Sequence, residues 1–126
     1  MKKFIITIML VLGVLSILFG EAQASEWTKL NTALELAFDA TLVVDTFQTV
    51  DISRRNDMYE TNGIIGRHAS REKIYVYMAT AGIVHYVIAR VLDTPYRETF
   101  QTVSFRIELD VINSNRRLNV TCAMHF

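Results

Sequence analysis

The chain has one cysteine, one proline, five glycines and no net charge, and each of these low counts excludes a class of protein. The single cysteine, Cys122, cannot form an internal disulfide, so no oxidised framework holds the fold. One proline, Pro95, and few glycines exclude a long disordered linker or a low-complexity region. The equal numbers of acidic and basic residues give no reason to expect a nucleic-acid partner. The length of 126 residues allows one domain at most.

Motifs of the common cofactor and metal sites are absent as well. The stretch Gly63-Ile64-Ile65-Gly66 lacks the lysine and the preceding apolar strand of a phosphate-binding loop. His68 and His85 are too far apart in sequence to form a local metal-ligand motif. We therefore expect no cofactor and no metal.

The N-terminus has the pattern of a secretory signal. Met1-Lys2-Lys3 is basic, residues 4–19 are almost entirely apolar, and Ala22 and Ala24 are the small residues that a signal peptidase requires. This pattern predicts a signal peptide over residues 1–24, cleaved after Ala24. The alternative is an uncleaved membrane anchor. Either segment would deliver the chain to a bacterial-type inner membrane or, beyond it, to the periplasm.

The mature chain, residues 25–126, contains two segments that we predict to be helices. Residues 26–49 contain neither proline nor glycine. Residues 74–89 carry no formal charge, and continuing to Leu92 approaches the roughly 20 residues that cross a bilayer. A buried helix of a soluble bundle has the same composition, but the signal-like N-terminus favours a membrane.

The first of these segments is amphipathic. Glu35 and Asp39 lie on its polar face with Thr49, and Asp45 lies beside them. We expect this face to be solvated; the alternative is a carboxylate cluster facing other helices, where burial would raise at least one pKa. The apolar residues of the opposite face are Leu36, Ala37, Ala40, Val43, Val44 and Phe47.

The third segment, residues 96–113, is ambiguous because apolar and polar residues alternate from Val103 to Val111, as in a half-buried strand. No other segment alternates in this way, and a single strand without a partner is unstable. A helix places Phe100, Val103, Ile107 and Val111 on one face, so we predict a helix.

The connection from residue 51 to residue 73 is polar and rich in arginine. Asn62-Gly63 predicts a turn, because both residues tolerate a positive φ, and Ser70 is placed to cap the next helix. If all three helices cross the membrane, the positive-inside rule places this loop and Arg116-Arg117 in the cytoplasm.

Three parts of the mature chain resemble one family. They are Asp45-Thr46-Phe47-Gln48-Thr49, the loop Glu60-Thr61-Asn62-Gly63-Ile64-Ile65-Gly66-Arg67-His68-Ala69-Ser70, and Arg97 with Glu108 and Asn113. They are similar to a family of small helical membrane proteins of bacteria and their phages for which no activity is known. In that family an Asp-x-x-x-Thr helix leads to a loop reading Glu-x-Asn-Pro-x-x-Gly-x-x-Pro-Ser.

The resemblance covers about residues 31 to 120, with Gly63 and Ala69 standing where the family pattern has proline. It implies helices in a membrane and one structural constellation of polar and loop residues. That constellation comprises Asp45, Thr49, Glu60, Asn62, Gly66, Ser70 and Glu108.

The sequence therefore predicts an all-α protein, a small bundle of about three helices after a signal peptide, embedded in a bacterial inner membrane. We expect it to act by association with itself or with a larger membrane complex. The alternatives are an intramembrane enzyme or a proton or ion path, a phage-type membrane-lesion protein, and a soluble periplasmic helical domain. An enzyme or ion path would use Glu35, Asp39 and His85, although a lone histidine such as His85 is more often a hydrogen-bonded core residue.

Overall fold

The computed structural model describes residues 25–120, which form three helices. Helix α1 spans Lys29–Arg54, α2 spans Arg71–Val91 and α3 spans Tyr96–Arg117. Within this range no residue is in a strand, so the predicted all-α class and the number of helices are confirmed. The predicted signal peptide over residues 1–24 and Cys122 both lie outside the described residues.

The helix ends follow local rules. At the start of α1, the Thr28 hydroxyl accepts a hydrogen bond from the backbone N–H of Asn31, whose side-chain oxygen accepts one from the Thr28 N–H. At the start of α2, the Ser70 hydroxyl accepts from the Lys73 N–H over 3.3 Å. Helix α3 begins directly after Pro95 and runs on to Arg117, through the alternating stretch. That stretch is a helix because no other described segment offers it a strand to pair with.

Helix α1 is the centre of the bundle. It packs along α3 and, over a shorter length, along α2, whereas α2 and α3 hardly touch each other. Its buried stripe has the alternating four- and three-residue spacing with which helices pack against one another in coiled coils. The stripe consists of Asn31, Glu35, Phe38, Leu42, Asp45, Thr49 and Ile52.

The face that α1 buries is not its apolar face. Leu36 and Val43, from the predicted apolar face, are 63% and 54% exposed, while Glu35 and Asp45 are 6% and 8% exposed. The expectation of a solvated carboxylate face is therefore wrong for Glu35 and Asp45, although Asp39 is exposed. The physical reason is that hydrogen-bond partners on α2 and α3 offset the cost of burying these polar groups.

Helix α3 shows the same inversion. Val103, Ile107 and Val111, which the sequence placed on a common apolar face, are all exposed, and Phe100 is only half-buried. The residues of α3 that are buried are Arg97, Gln101 and Ile112. The interior of the bundle is thus partly polar, and a large part of its apolar surface faces outward.

Candidate functional site

A chain of buried hydrogen bonds joins all three helices in the upper half of the bundle, the half nearest Ser25. The carboxylate of Glu35 on α1 is bonded through both oxygens. Its Oε1 lies 2.9 Å from His85 Nδ1 on α2, and its Oε2 accepts from Gln101 Nε2 on α3 over 2.8 Å. The Gln101 amide also bonds Asn31 through its oxygen and its nitrogen. Because every member is buried, the chain specifies which faces of the three helices meet.

His85 is enclosed between two aromatic rings. Its imidazole stacks on Phe38, with 3.7 Å between ring centroids, and on Phe100 at 4.6 Å. Its Nε2 has no hydrogen-bond partner among the described residues. Neither His85 nor Glu35 lines the cleft beside Asp45 and Glu108 or the hollow beside Asp39. Both side chains of the pair are buried, away from these two spaces.

Arg97 ties the ends of three segments together. Its guanidinium is 1% exposed and donates to the carbonyl oxygens of Ala89, Ser25 and Glu26 at 2.7, 2.9 and 3.1 Å. The first of these belongs to the last turn of α2, where unpaired carbonyls favour a cation. Arg97 therefore holds the end of α2, the start of α3 and the segment before α1 in one arrangement.

A second set of polar groups lies in the lower half of the bundle. Asn115 Nδ2 on α3 donates to Asp45 Oδ1 at 3.3 Å and to Gln48 Oε1 at 3.1 Å. Thr49 is buried next to Gln48. Glu108, on α3, has a side-chain oxygen, Oε2, that is enclosed and has no hydrogen-bond partner among the described residues. These carboxylates are less well satisfied than Glu35.

The loop between α1 and α2 closes this lower end. Glu60 Oε1 accepts from the backbone N–H of Asn62 at 2.9 Å, and Asn62 Oδ1 accepts from that of Ile64 at 2.9 Å. The Asn62 amide nitrogen donates to the hydroxyl of Tyr77 on α2 at 3.0 Å, which fastens the loop to that helix. Gly66 has φ +89°, a conformation that side chains with a β-carbon oppose.

Because α2 and α3 hardly touch, a cleft of about 1040 Å³ opens between them above the loop. We call it the acidic cleft. Its lining includes the carboxylates of Asp45, Asp57, Glu60, Glu108 and Asp110. Its apolar lining includes Leu42, Ile65, Met78, Ile107 and Val111.

The electrostatics of the acidic cleft favour protonated carboxyl groups. Burial, together with the nearby carboxylates of Glu108 and Glu60, raises the pKa of Asp45 to about 7. Burial also raises the pKa of Glu108. A cation placed among these groups would reverse both effects, because an opposite charge favours the ionised form.

The structure divides the predicted residues among different places. Five of the seven members of the predicted constellation line the acidic cleft: Asp45, Thr49, Glu60, Asn62 and Glu108. Gly66 and Ser70 instead shape the loop and the start of α2. Glu35 and His85 meet in the core, and Asp39 is exposed in a different groove. Within residues 25–120, no group of three histidine, cysteine, aspartate or glutamate side chains is arranged to hold a metal ion.

Three residues that complete these networks have no place in the sequence-based prediction: Asn31, Gln101 and Asn115. The spacing of the buried positions along each helix is a sequence signal for these residues. Asn31 belongs to the stripe of alternating four- and three-residue steps in α1, and Gln101 and Asn115 lie at similar steps from Arg97, Glu108 and Ile112. A search for that spacing without regard to polarity would have found them.

Comparisons of the chain with protein-family models, with curated proteins and with solved structures find no match. The proposals that follow therefore rest on the geometry of the bundle.

Proposed function

We propose that the protein is a small helical protein of a bacterial inner membrane that acts by association, with itself or with a larger membrane complex. The surface used is the α1–α2 face, the outer apolar side of these two helices. It comprises Leu36, Val43, Val76, Ile83 and Tyr86, all of which are exposed. The acidic cleft and α3 lie away from this surface.

One observation carries the proposal. Helix α2 is apolar over almost its whole length, yet only Ile74, Met78, His85 and Ala89 of its 21 residues are buried. It is the one helix among residues 25–120 that is long and apolar enough to cross a membrane, and most of it lies outside the core. A helix that is apolar all round requires apolar surroundings on every side, so the exposed part of α2 calls for lipid or a partner helix.

The composition of the α1–α2 face favours a protein partner over lipid alone. A hollow of about 540 Å³ lies within it, where Ala79 and Gly82 of α2 leave room beside α1. Small residues of this kind let helices approach closely in membranes. Asp39 also lines the hollow, and a carboxylate facing hydrocarbon costs roughly 2.5–3.5 kcal/mol in a membrane helix. A partner that supplies a donor to Asp39 would remove this cost.

Thiol cross-linking in membranes tests the association. Val43→Cys and Ile83→Cys, each in a Cys122→Ser background, place a thiol on the α1–α2 face. We expect a bifunctional thiol reagent to give a dimer or a defined larger adduct from both positions. The matched control is Asn113→Cys, on the exposed side of α3. Equal adduct from Asn113→Cys, or none from Val43→Cys and Ile83→Cys, would contradict the proposal.

Alkaline extraction tests the location. We expect the protein to stay with the membrane pellet, because the α1–α2 face is held by apolar contacts that high pH does not break. Release into the soluble fraction would reject the membrane location and support a periplasmic helical domain.

A further inference from the structure

The acidic cleft brings carboxylates and apolar side chains together in one space. Its walls are apolar, and its lining contains five carboxylates but no lysine, arginine or histidine. One of the five, Asp57, is already neutralised by Arg55, whose guanidinium lies 3.2 Å from it. Another, Asp110, is exposed. The three that remain, Asp45, Glu60 and Glu108, come from α1, the loop and α3.

The hydrogen bonds of Glu35 provide a comparison for the carboxylates of the cleft. In the upper network both oxygens of Glu35 have partners, one on α2 and one on α3. In the cleft, the enclosed Oε2 of Glu108 has none, and the one donor shown for Asp45 is the Asn115 amide, at 3.3 Å. An ionised carboxylate has about four acceptor sites, and leaving them empty in a buried position is costly. In their ionised forms, Asp45 and Glu108 therefore have acceptor sites that the described part of the protein leaves unfilled.

We propose that the acidic cleft binds a small organic cation with an apolar body, a quaternary or protonated amine that carries an alkyl or aromatic group. The charged end would lie between Asp45 and Glu108, and the apolar body would lie against Met78, Ile107 and Val111. Tyr77 also lines the cleft, and an aromatic side chain in such a place can attract a cation.

The size of the cleft supports a small molecule as the occupant. Its volume of about 1040 Å³ is at the upper end of the roughly 300–1,000 Å³ usual for ligand pockets. A basic peptide helix would meet mainly the charges at the rim, where Asp110 is exposed and Asp57 is already paired with Arg55. A compact cation can instead approach Asp45, which lines the cleft and whose donor among the described residues is the Asn115 amide.

The proposal is independent of the membrane association proposed above. Leu42 and Met78 line both the acidic cleft and the hollow of the α1–α2 face, and they separate the two spaces. A ligand in one therefore leaves the other surface free, and the two proposals fail separately.

Methionine NMR provides a local test, because Met58 and Met78 both line the cleft. The full chain is labelled with ¹³C at the methionine methyl groups and held in a neutral detergent. It is titrated with benzyltrimethylammonium, with benzyl alcohol and with benzylsulfonate, which share the aromatic body and differ in charge. We expect saturable shifts of the Met58 and Met78 signals with the cation, binding weaker by about tenfold or more for the alcohol, and none for the sulfonate.

Variants identify the groups that hold the charge. Asp45→Asn and Glu108→Gln should each weaken cation binding by about tenfold and leave the alcohol unchanged. The control Asp39→Asn, on α1 but outside the cleft, should bind the cation as the parent does. The melting temperature of each variant verifies that it is folded. If a variant does not fold, the comparison of the cation with the alcohol in the parent chain still tests the proposal.

The pH dependence gives a further readout. The titratable groups that share the cleft with Asp45 are Glu108 on α3, Tyr59 and Glu60 on the loop and Tyr77 on α2, with Asp57 and Asp110 at the rim. Because burial raises the pKa of Asp45 to about 7, affinity for the permanently charged probe should rise between pH 5.5 and pH 8.5. The same rise should be much smaller in Asp45→Asn.

Four results would overturn the proposal. The first is equal affinity for the cation and the alcohol, and the second is unchanged cation binding in folded Asp45→Asn and Glu108→Gln. The third is a response of Met58 and Met78 to a basic amphipathic peptide but not to the cation, which would make the cleft a peptide site. The fourth is cation binding only after residues 121–126 are removed, which would make this tail the occupant.

Discussion

Replacing Asp45 by asparagine should stabilise the fold above neutral pH and remove most of the dependence of its stability on pH. The carboxyl group is buried beside Glu108 and Glu60, which raises its pKa from 3.8 to about 7. Asparagine has nearly the same shape and retains an oxygen that can accept the hydrogen bond from Asn115. The substitution therefore removes the charge and leaves the contact.

The sign follows from proton binding. Between pH 3.8 and about 7 the folded chain holds a proton on Asp45 that the unfolded chain has lost, so stability falls as the pH rises through this window. Below pH 3.8 the carboxyl of Asp45 is neutral in both the folded and the unfolded chain. Above about pH 7 it is ionised in both, and the free-energy cost of its burial no longer changes with pH. The contribution of Asp45 to stability is thus most favourable below pH 3.8 and least favourable above about pH 7, which is the reverse of the usual effect of a paired aspartate.

The size of the effect comes from the same values. A pKa difference from 3.8 to about 7 corresponds to about 4 kcal/mol at full ionisation. About 2 kcal/mol of this falls between pH 5.5 and pH 8.5. For a domain of this size that amount lowers the melting temperature by roughly 10 °C. Glu108, whose pKa is also raised by burial, acts in the same direction.

The assay is thermal unfolding of the purified chain in a neutral detergent at pH 5.5, 7.0 and 8.5. We expect the parent to melt at a lower temperature at pH 8.5 than at pH 5.5. Asp45→Asn should melt well above the parent at pH 8.5 and change much less with pH. Asp110→Asn, at the exposed rim of the same cleft, is the matched control and should follow the parent. A parent with no fall in melting temperature, or an Asp45→Asn variant that keeps the full fall, would refute the reasoning.

Three further predictions concern the buried polar groups and the loop, and the melting temperature is the measurement for each. Arg97→Met should cost about 3 kcal/mol or more, because three carbonyl oxygens lose a charged donor, whereas exposed Arg106→Met should change stability by less than about 0.5 kcal/mol. Glu35→Ala should cost about 2–3 kcal/mol by leaving buried polar groups of His85 and Gln101 without their hydrogen-bond partner, and a loss no greater than that of exposed Asp39→Ala would show that the network is not stabilising. Gly66→Val should cost about 2 kcal/mol, because the φ of +89° at this position strains any residue with a β-carbon. Gly63→Ala should be nearly neutral, because a β-carbon there meets nothing within 4 Å. Similar losses for the two variants would contradict the argument from backbone strain at Gly66.

The sequence by itself determined the two ends of α2, because those signals are local, whereas α1, predicted over residues 26–49, spans Lys29–Arg54, and α3 runs to Arg117 rather than to residue 113. Ser70 caps α2 as predicted, and the chain leaves that helix at Asp93-Thr94-Pro95. The turn at Asn62 is also made by short-range contacts, between the side chain of one residue and the backbone of a near neighbour. Such interactions depend on a few adjacent residues, so a single sequence contains them in full.

Tertiary structure alone decided which faces of the helices are buried. Hydropathy placed Leu36 and Val43 inside and Glu35 outside, and the structure reverses both, because Glu35 meets His85 and Gln101 from helices far away in sequence. The free energy of burying a polar group depends on its hydrogen-bond partners, and only the packed bundle supplies those partners.

The acidic cleft has the same origin. Asp45, Glu60 and Glu108 are separated in the sequence. They line one space because α1 packs on both α3 and α2, whereas α2 and α3 meet each other over only a short length. No local sequence pattern encodes the space between α2 and α3, since that space depends on how these two helices pack on α1.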